Sequence, residues 1–290
     1  MRGHRRRPGP PMAAAFPGEA RPEPGRPARA PWIVALSLAA GLGLDASELP
    51  DRVLPPPSGL PSCTIERVSS GITVDGRLDE EDWEAAAVIE LIVPWLHDPA
   101  EPVQKTEVRM LWSPEDLFIA YRCADPHIGA EIVEHDGATY LEDTVEIFAT
   151  PNADDVYNYY GYEMNVLGTL LDYVTFWRDG ERLSGGSGWQ SEGVRIATTI
   201  DGTLNDHSDK DSGWILEIAI PFDNFRHLGG RIPPRAGDRW RLNLNRCAGR
   251  TAGQYAMWSD SGTPKPQFHV PERFGVAVFS ERATGAADSR

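Results

Sequence analysis

From residue 61 onward the chain is a series of short runs in which apolar and polar residues alternate, separated by clusters of Gly, Pro, Asp and Ser. A period of two places successive side chains on opposite faces of a strand, so each run reads as a half-buried β-strand. The clearest pair is TEVRMLW at 106–112 and LFIAYRC at 117–123, joined through Ser-Pro-Glu-Asp; strand, turn and strand predict a hairpin. Further strands are expected over 72–75, 144–148, 159–166, 170–177 (after a turn at Gly168), 194–200, 214–220, 240–245, 255–258 and 275–279. Residues 78–87 break the period. There Asp79 can cap a helix, Glu80, Glu81 and Asp82 suit its N-terminal dipole, and Trp83, Ala86 and Ala87 supply an apolar face. About eleven strands with one helix, no strand–helix alternation and no fixed repeat predict an all-β fold. The expected architecture is an antiparallel β-sandwich of jelly-roll or immunoglobulin-like type with one short helix near the domain start.

The first 60 residues differ in kind. They hold 12 of the 25 prolines, with eight arginines, no lysine and five acidic residues. Residues 1–31 cannot bury enough apolar surface to offset the entropy of ordering, so disorder is expected. An uncharged run over 32–44 is too short to span a bilayer but has the length of a signal-peptide core. It follows Arg26 and Arg29 and precedes Ala46 and Ser47, which predicts export to the periplasm, the cell surface or the medium. The prolines at 55–57 read as a stiff linker. The domain organisation is thus a disordered segment over 1–60, a sandwich over 61–282 and a disordered tail over 283–290.

Composition narrows the chemistry. Of the formal net charge of −15, the first 60 residues contribute +3, leaving 20 basic against 38 acidic residues in the body. A body this acidic repels phosphate backbones, so nucleic acid is excluded as an expected partner. Acidity suits solubility through a solvated acidic surface, a neutral ligand, or a cation such as calcium. The three cysteines, Cys63, Cys123 and Cys247, lack zinc-site spacing. Cys123 and Cys247 are expected to be small buried strand residues, with disulfide pairing left open.

No nucleophile elbow, P-loop, H-E-x-x-H or G-x-G-x-x-G occurs. The best carboxylate cluster is Glu142, Asp143 and Glu146. On a strand, Glu142 and Glu146 would share a face with Asp143 opposite; a glycosidase role through Glu142 and Glu146 is the enzymatic reading, and a non-catalytic role is preferred. The loop over 201–213 crowds oxygen ligands, with Asp206, Asp209 and Asp211 as candidate calcium ligands, against the alternative of an ordinary polar turn.

Six ordered motifs then share one pattern. They are ITVDGRLDEEDW at 72–83, the hairpin of 106–120, DTVEIF at 143–148, YEMN at 162–165 running on to Asp172, WILEIAIPF at 214–222 and PERFG at 271–275. Over residues 65–280 the chain resembles carbohydrate-binding module family 9 and its relatives in the DOMON-like superfamily. The resemblance implies a non-catalytic sandwich, commonly with bound calcium, that clamps a sugar between two aromatic rings. It is expected to bind mono- or oligosaccharides or polysaccharide chain ends, as an accessory to extracellular polysaccharide degradation. Carried over by position, the rings are Tyr140 and Phe268, where better-known members have Trp, and the polar contacts are Glu146, Glu163 and Asn245. Glu163 stands where the sugar-binding prototype has a basic residue.

Other roles for these residues are kept open. Tyr140 and Phe268 could pack under loops, Glu146 could pair with Arg241 or Arg246, and Glu163 and Asn165 could serve strand or turn hydrogen bonds. Trp112, Trp214 and Trp240 read as core; Trp177, Trp189 and Trp258 are second-choice platforms. Two alternatives of different class remain. One is a haem-binding electron carrier, with Met110 or Met164 and His127, His135 or His269 as axial ligands. The other is a sandwich that has lost its sugar site and serves surface interactions.

Overall fold

The computed structural model describes residues 59–95, 102–178, 181–184, 188–249 and 253–283. The expected signal run, the proline linker and the tail from 284 lie outside the described residues. Thirteen strands occur among them: β1 (Ser62–Arg67), β2 (Ile89–Glu90), β3 (Thr106–Trp112), β4 (Asp116–Ala124), β5 (Asp143–Thr150), β6 (Tyr159–Asn165) and β7 (Leu170–Arg178) come first. They are followed by β8 (Glu181–Ser184), β9 (Arg195–Asp201), β10 (Gly213–Pro221), β11 (Arg239–Ala248), β12 (Gln254–Met257) and β13 (Gly275–Ala283). The sheet order is β8-β7-β6-β5-β11-β13-β1-β3-β4-β10-β9, with β12 on β11 and β2 on β3. Pairing is antiparallel except at β1, which runs parallel to both β13 and β3. The sheet curls into a β-sandwich.

The predicted hairpin is β3 and β4, in register from Thr106 opposite Cys123 to Trp112 opposite Leu117. Ser113 sets its turn, its Oγ accepting from the N–H groups of Glu115 and Asp116. Alternation then decides which core each residue enters. Val108, Met110 and Trp112, Val145, Ile147 and Ala149, Tyr160, Tyr162 and Met164, and Leu216, Ile218 and Ile220 all point into the main core. Trp112, Trp214 and Trp240 are core residues as expected. The opposite face of the sheet carries two smaller apolar clusters. One, around Trp83, Leu111, Phe118 and Ala219, lies under the helix; the other gathers Trp95, Phe148, Tyr159, Cys247, Met257, Phe268 and Phe274.

Two local expectations are corrected. Residues 72–75 form no strand. Their Asp75–Gly76 turn is held by a fully buried carboxylate: Glu217 accepts from Asp75 N (3.1 Å), Gly76 N (3.0 Å) and Trp83 Nε1 (2.9 Å). Gly76 has φ +82°, and a Cβ there would meet the Thr198 backbone, so glycine fits where a side chain would not. The helix, α1 (Glu81–Ala85), is shorter than the expected 78–87, and Asp79 does not cap it; Glu80 is the cap residue and makes no side-chain cap bond. Asp82 instead ties the helix to the chain before it, accepting from the N–H and hydroxyl groups of Ser69 and Ser70. Strands β1, β2 and β8 had no sequence signal strong enough to predict them. All three cysteines are free thiols; Cys123 and Cys247 are buried in strands, and burial pushes the Cys123 thiol up to about 12.

Candidate functional site

The face of the sheet opposite the main core, across β7, β6, β5, β11 and β12, places polar groups in a row. Strand register sets Glu163 of β6 opposite Glu146 of β5, Glu146 opposite Asn245 of β11, and Asn245 opposite Met257 of β12. Directly opposed residues share a face, so three of the five residues singled out from sequence meet side by side. All three are buried: Glu146 is 3% exposed, Glu163 5% and Asn245 0%.

Two carboxyl groups adjacent in a buried site disfavour double ionisation. Glu146 accordingly has its pKa pushed well above the usual carboxylate range, first by burial and then by the neighbouring Glu163 charge. The opposing contacts are weak: Asn245 Nδ2 donates to Glu146 Oε2 at 3.4 Å and Cys247 Sγ to Oε1 at 3.5 Å. Neither Arg241 nor Arg246 pairs with Glu146, contrary to one sequence expectation. Arg246 binds Asp125 at 2.9 Å, and Arg241 donates to the carbonyls of Phe274 and Glu272. Tyr173 on β7 donates its hydroxyl to Glu163 Oε1 at 2.7 Å. The Asn245 Oδ1 acceptor is buried and makes no hydrogen bond.

Aromatic residues border the row. Tyr140 sits in a 3₁₀ turn, Thr139–Leu141, that leads into β5; Thr139 Oγ1 anchors the turn to the Glu163 carbonyl at 3.3 Å. Tyr140 is half-buried, and its phenol pKa is raised by burial and by the Glu163 carboxylate. The Thr139 bond to the Glu163 carbonyl sets this turn at the Glu163 end of the row. At the other end Tyr255 of β12 lies opposite Cys247, and its phenol is raised by burial, then by Cys247 and Glu146. Phe268 packs on Tyr255 and Trp95 at centroid separations of 6.2 and 5.8 Å and is 9% exposed. Phe268 is thus on the same face, with most of its ring already covered. Trp95 is fixed by Nε1 donating to the Thr263 carbonyl at 2.8 Å.

The remaining sequence candidates are placed as follows. Glu142 lies ahead of the strand, and its carboxylate accepts from Glu131 N, Ile132 N and Asn165 Nδ2. It ties loops together rather than forming a carboxylate pair with Glu146, which corrects the reading of 142 and 146 as strand neighbours. Asp143 accepts from Gly129 N at 2.6 Å, and burial with the nearby Asp125 charge raises it to about 8. Asn165 is a turn residue, its Oδ1 accepting from Leu167 N and Thr169 N. In the loop over 201–213, Asp211 accepts from Ile128 N and Thr203 N, Asp209 from Thr203 Oγ1 and Asp206 from Ser208 N. Each of these carboxylates serves a local loop bond. Met110 and Met164 are locked in the main core, whereas His269 stacks on Phe148 at 4.6 Å on the opposite face, so His269 pairs with neither methionine. Trp177 packs against the site-face cluster and Trp189 against the main core. A cavity of about 380 Å³ lined by Trp189, Gln190, Asn224 and His227 includes none of the five site residues.

Sequence reasoning missed Trp95, Tyr173 and Tyr255. Each reaches the site through cross-strand or loop packing, and none stands out by spacing.

The profile of carbohydrate-binding family 9 matches residues 73–279, most of the described chain. The chain belongs to carbohydrate-binding family 9. The fold of this family 9 domain is similar to that of a Bacteroides uniformis protein to which carbohydrate binding has been ascribed. That match has a TM-score of 0.60 and 21% identity, covering 76% of this chain and 99% of the other. It is also similar to a family 9 module from Caldicellulosiruptor kristjanssonii in complex with cellotriose (TM-score 0.50, 14% identity, 78% and 97% covered). The glucose complex of a family 9 module from the same organism gives a TM-score of 0.50 and 15% identity, covering 79% and 99%. Among curated proteins, none matches the chain.

Proposed function

We propose that this family 9 domain binds a neutral sugar on the β6–β5–β11 face, without altering it chemically, as an accessory to extracellular polysaccharide degradation. A pyranose presents an apolar C–H face and a rim of hydroxyls, so it calls for an aromatic platform beside convergent donors and acceptors. Tyr140 supplies the platform. Glu163, Glu146 and Asn245 supply the polar row, and the edge of the Tyr255–Phe268–Trp95 cluster forms the far wall. The observation that carries the reading is the buried Glu163–Glu146–Asn245 row with its unpaired Asn245 Oδ1 acceptor. A buried acceptor left unpaired is costly, and a sugar hydroxyl can supply the missing donor.

The glucose and cellotriose held by the family 9 modules of C. kristjanssonii make those two sugars the first ligands to try. A sugar seated at the end of a polysaccharide chain would satisfy the same row. The signal-like run over 32–44, with Arg26 and Arg29 before it and Ala46 and Ser47 after it, favours an exported protein. Among the described residues, no helix is long and apolar enough to cross a membrane.

Isothermal titration with glucose, cellobiose and cellotriose tests the proposal. Binding in the micromolar to millimolar range is expected, reduced about tenfold or more in Tyr140→Ala and in Asn245→Ala, since a lost stacking ring or buried hydrogen bond is worth ~1–3 kcal/mol. A folded protein that binds none of a wide sugar panel at millimolar concentration would leave the surface-interaction reading in its place.

A further inference from the structure

We propose that His135, Asp136 and Asp172 form a binding site for a divalent transition-metal ion of the zinc class. Among the described residues they are a set of three whose candidate ligand atoms all lie within 4.8 Å of one another. His135 Nε2 is 3.5 Å from Asp136 Oδ1 and 3.4 Å from Asp172 Oδ1. Those separations are long for hydrogen bonds but fit ligands of one ion: bonds of about 2.0–2.1 Å in tetrahedral geometry put neighbouring ligand atoms ~3.3–3.4 Å apart.

An independent observation points to a missing partner. The Asp172 side chain is completely buried, and its Oδ1, the atom facing His135, makes no hydrogen bond. Its other oxygen is fully engaged, accepting from both the N–H and the hydroxyl of Ser191. The preceding residue performs the same service for the second carboxylate, Gln190 Nε2 donating to Asp136 Oδ2 at 3.0 Å. Two consecutive residues therefore hold two carboxylates from behind and leave one oxygen of each turned toward the same imidazole. Outer contacts of this kind fix the orientation of metal ligands. The backbone is held too, Asp136 N donating to the Leu170 carbonyl at 3.0 Å with Asp136 in the left-handed region at φ +62°.

The donor set chooses the ion. Calcium prefers six to eight oxygens, whereas one imidazole nitrogen with two carboxylates suits zinc and its first-row neighbours. His135 and Asp136 are exposed, so the ion has an entry path and room for water as a fourth ligand. The bound ion would tie the loop at 135–136 to β7, five residues before Tyr140. The inference stands on this cluster alone and does not depend on the sugar site.

The test is isothermal titration of the full chain, freed of metal by chelation, with ZnCl2 and separately with CaCl2, together with thermal melts. One high-affinity zinc per chain is expected, with a raised melting temperature and no competition from calcium. His135→Ala, which alters an exposed side chain, should weaken zinc binding at least about tenfold, with Asp172→Asn as a second variant. His127→Ala is the control, because His127 and His207 lie 6.1 Å apart and are the rival pair; it should leave zinc binding unchanged. Absence of zinc binding by the folded parent, retention of parental affinity in His135→Ala, or loss only in His127→Ala would overturn the assignment. Glucose titration of His135→Ala, run in parallel, separates failure of this site from failure of the sugar site.

Discussion

At the residue scale the dominant fact is a carboxyl group that the fold makes hard to ionise. Glu146 is buried beside Glu163 with only two long hydrogen bonds, and its pKa is raised. The sign for stability follows from proton linkage. Below the ordinary carboxylate range Glu146 is protonated in folded and unfolded chains alike and costs nothing. As pH rises through that range the unfolded chain releases its proton while the folded one keeps it, so stability falls. Asp143, raised to about 8, acts in the same direction between its ordinary value and that pH. Glu146→Gln should therefore melt several degrees above the parent near pH 8, at about 2–4 °C per kcal/mol for a domain of this size, and the gap should close toward pH 4. Melting curves at the two pH values measure it; a gap independent of pH would contradict the linkage. The same variant keeps the shape of the row but loses an acceptor, so sugar affinity should drop even as the protein grows more stable.

At the element scale the site depends on how β6 and β7 pair. Tyr173 lies opposite Gly161, and a Cβ on Gly161 would clash with the edge of the Tyr173 ring. Glycine lets the ring lie flat across β6 and deliver its hydroxyl to Glu163, two residues along. Gly161→Ala should displace the ring, lower the melting temperature by the ~1–3 kcal/mol typical of overpacking and weaken sugar binding together. Tyr173→Phe keeps the ring and removes only the hydrogen bond, so it should weaken sugar binding with a smaller thermal shift. Melts and titrations on the pair distinguish packing from polar contact; equal behaviour of the two variants would argue against this account. Element identity was largely legible in advance: ten of the expected strands are present because alternation and turn residues report one half-buried face directly. What failed were segments with no such face. Residues 72–75 look like a strand by composition, yet Thr73 N donates to the Glu80 carboxylate and Asp75 N to that of Glu217, and two-residue β2 is too short to show a period.

At the scale of the whole molecule, one curled sheet carries three apolar clusters, and the Glu217 motif residues and the Glu163–Glu146–Asn245 row lie on the same face, opposite the main core, beside different clusters. The opening motif and the glutamate of WILEIAIPF, which carried much of the family resemblance, meet at Glu217 beneath α1. They hold the fold rather than the ligand. Trp83→Phe removes one of three donors to a fully buried carboxylate and should cost about 1–3 kcal/mol in stability, while sugar affinity stays at the parental value. Denaturation and titration of that one variant check both halves.

The amino-acid order by itself determined the fold class, most strands and the main-core tryptophans, and it singled out Glu146, Glu163 and Asn245, which strand register then aligned. Those features depend on local periodicity and on motifs, which a linear chain displays. Tertiary structure alone decided that Glu163, Glu146 and Asn245 stand in one row, that Phe268 is covered by Trp95 and Tyr255, that Glu142 ties loops, and that His135, Asp136 and Asp172 converge. Each is a contact between distant stretches of chain, fixed by pairing register and loop closure, and neither of these is written in the spacing of residues along any one segment.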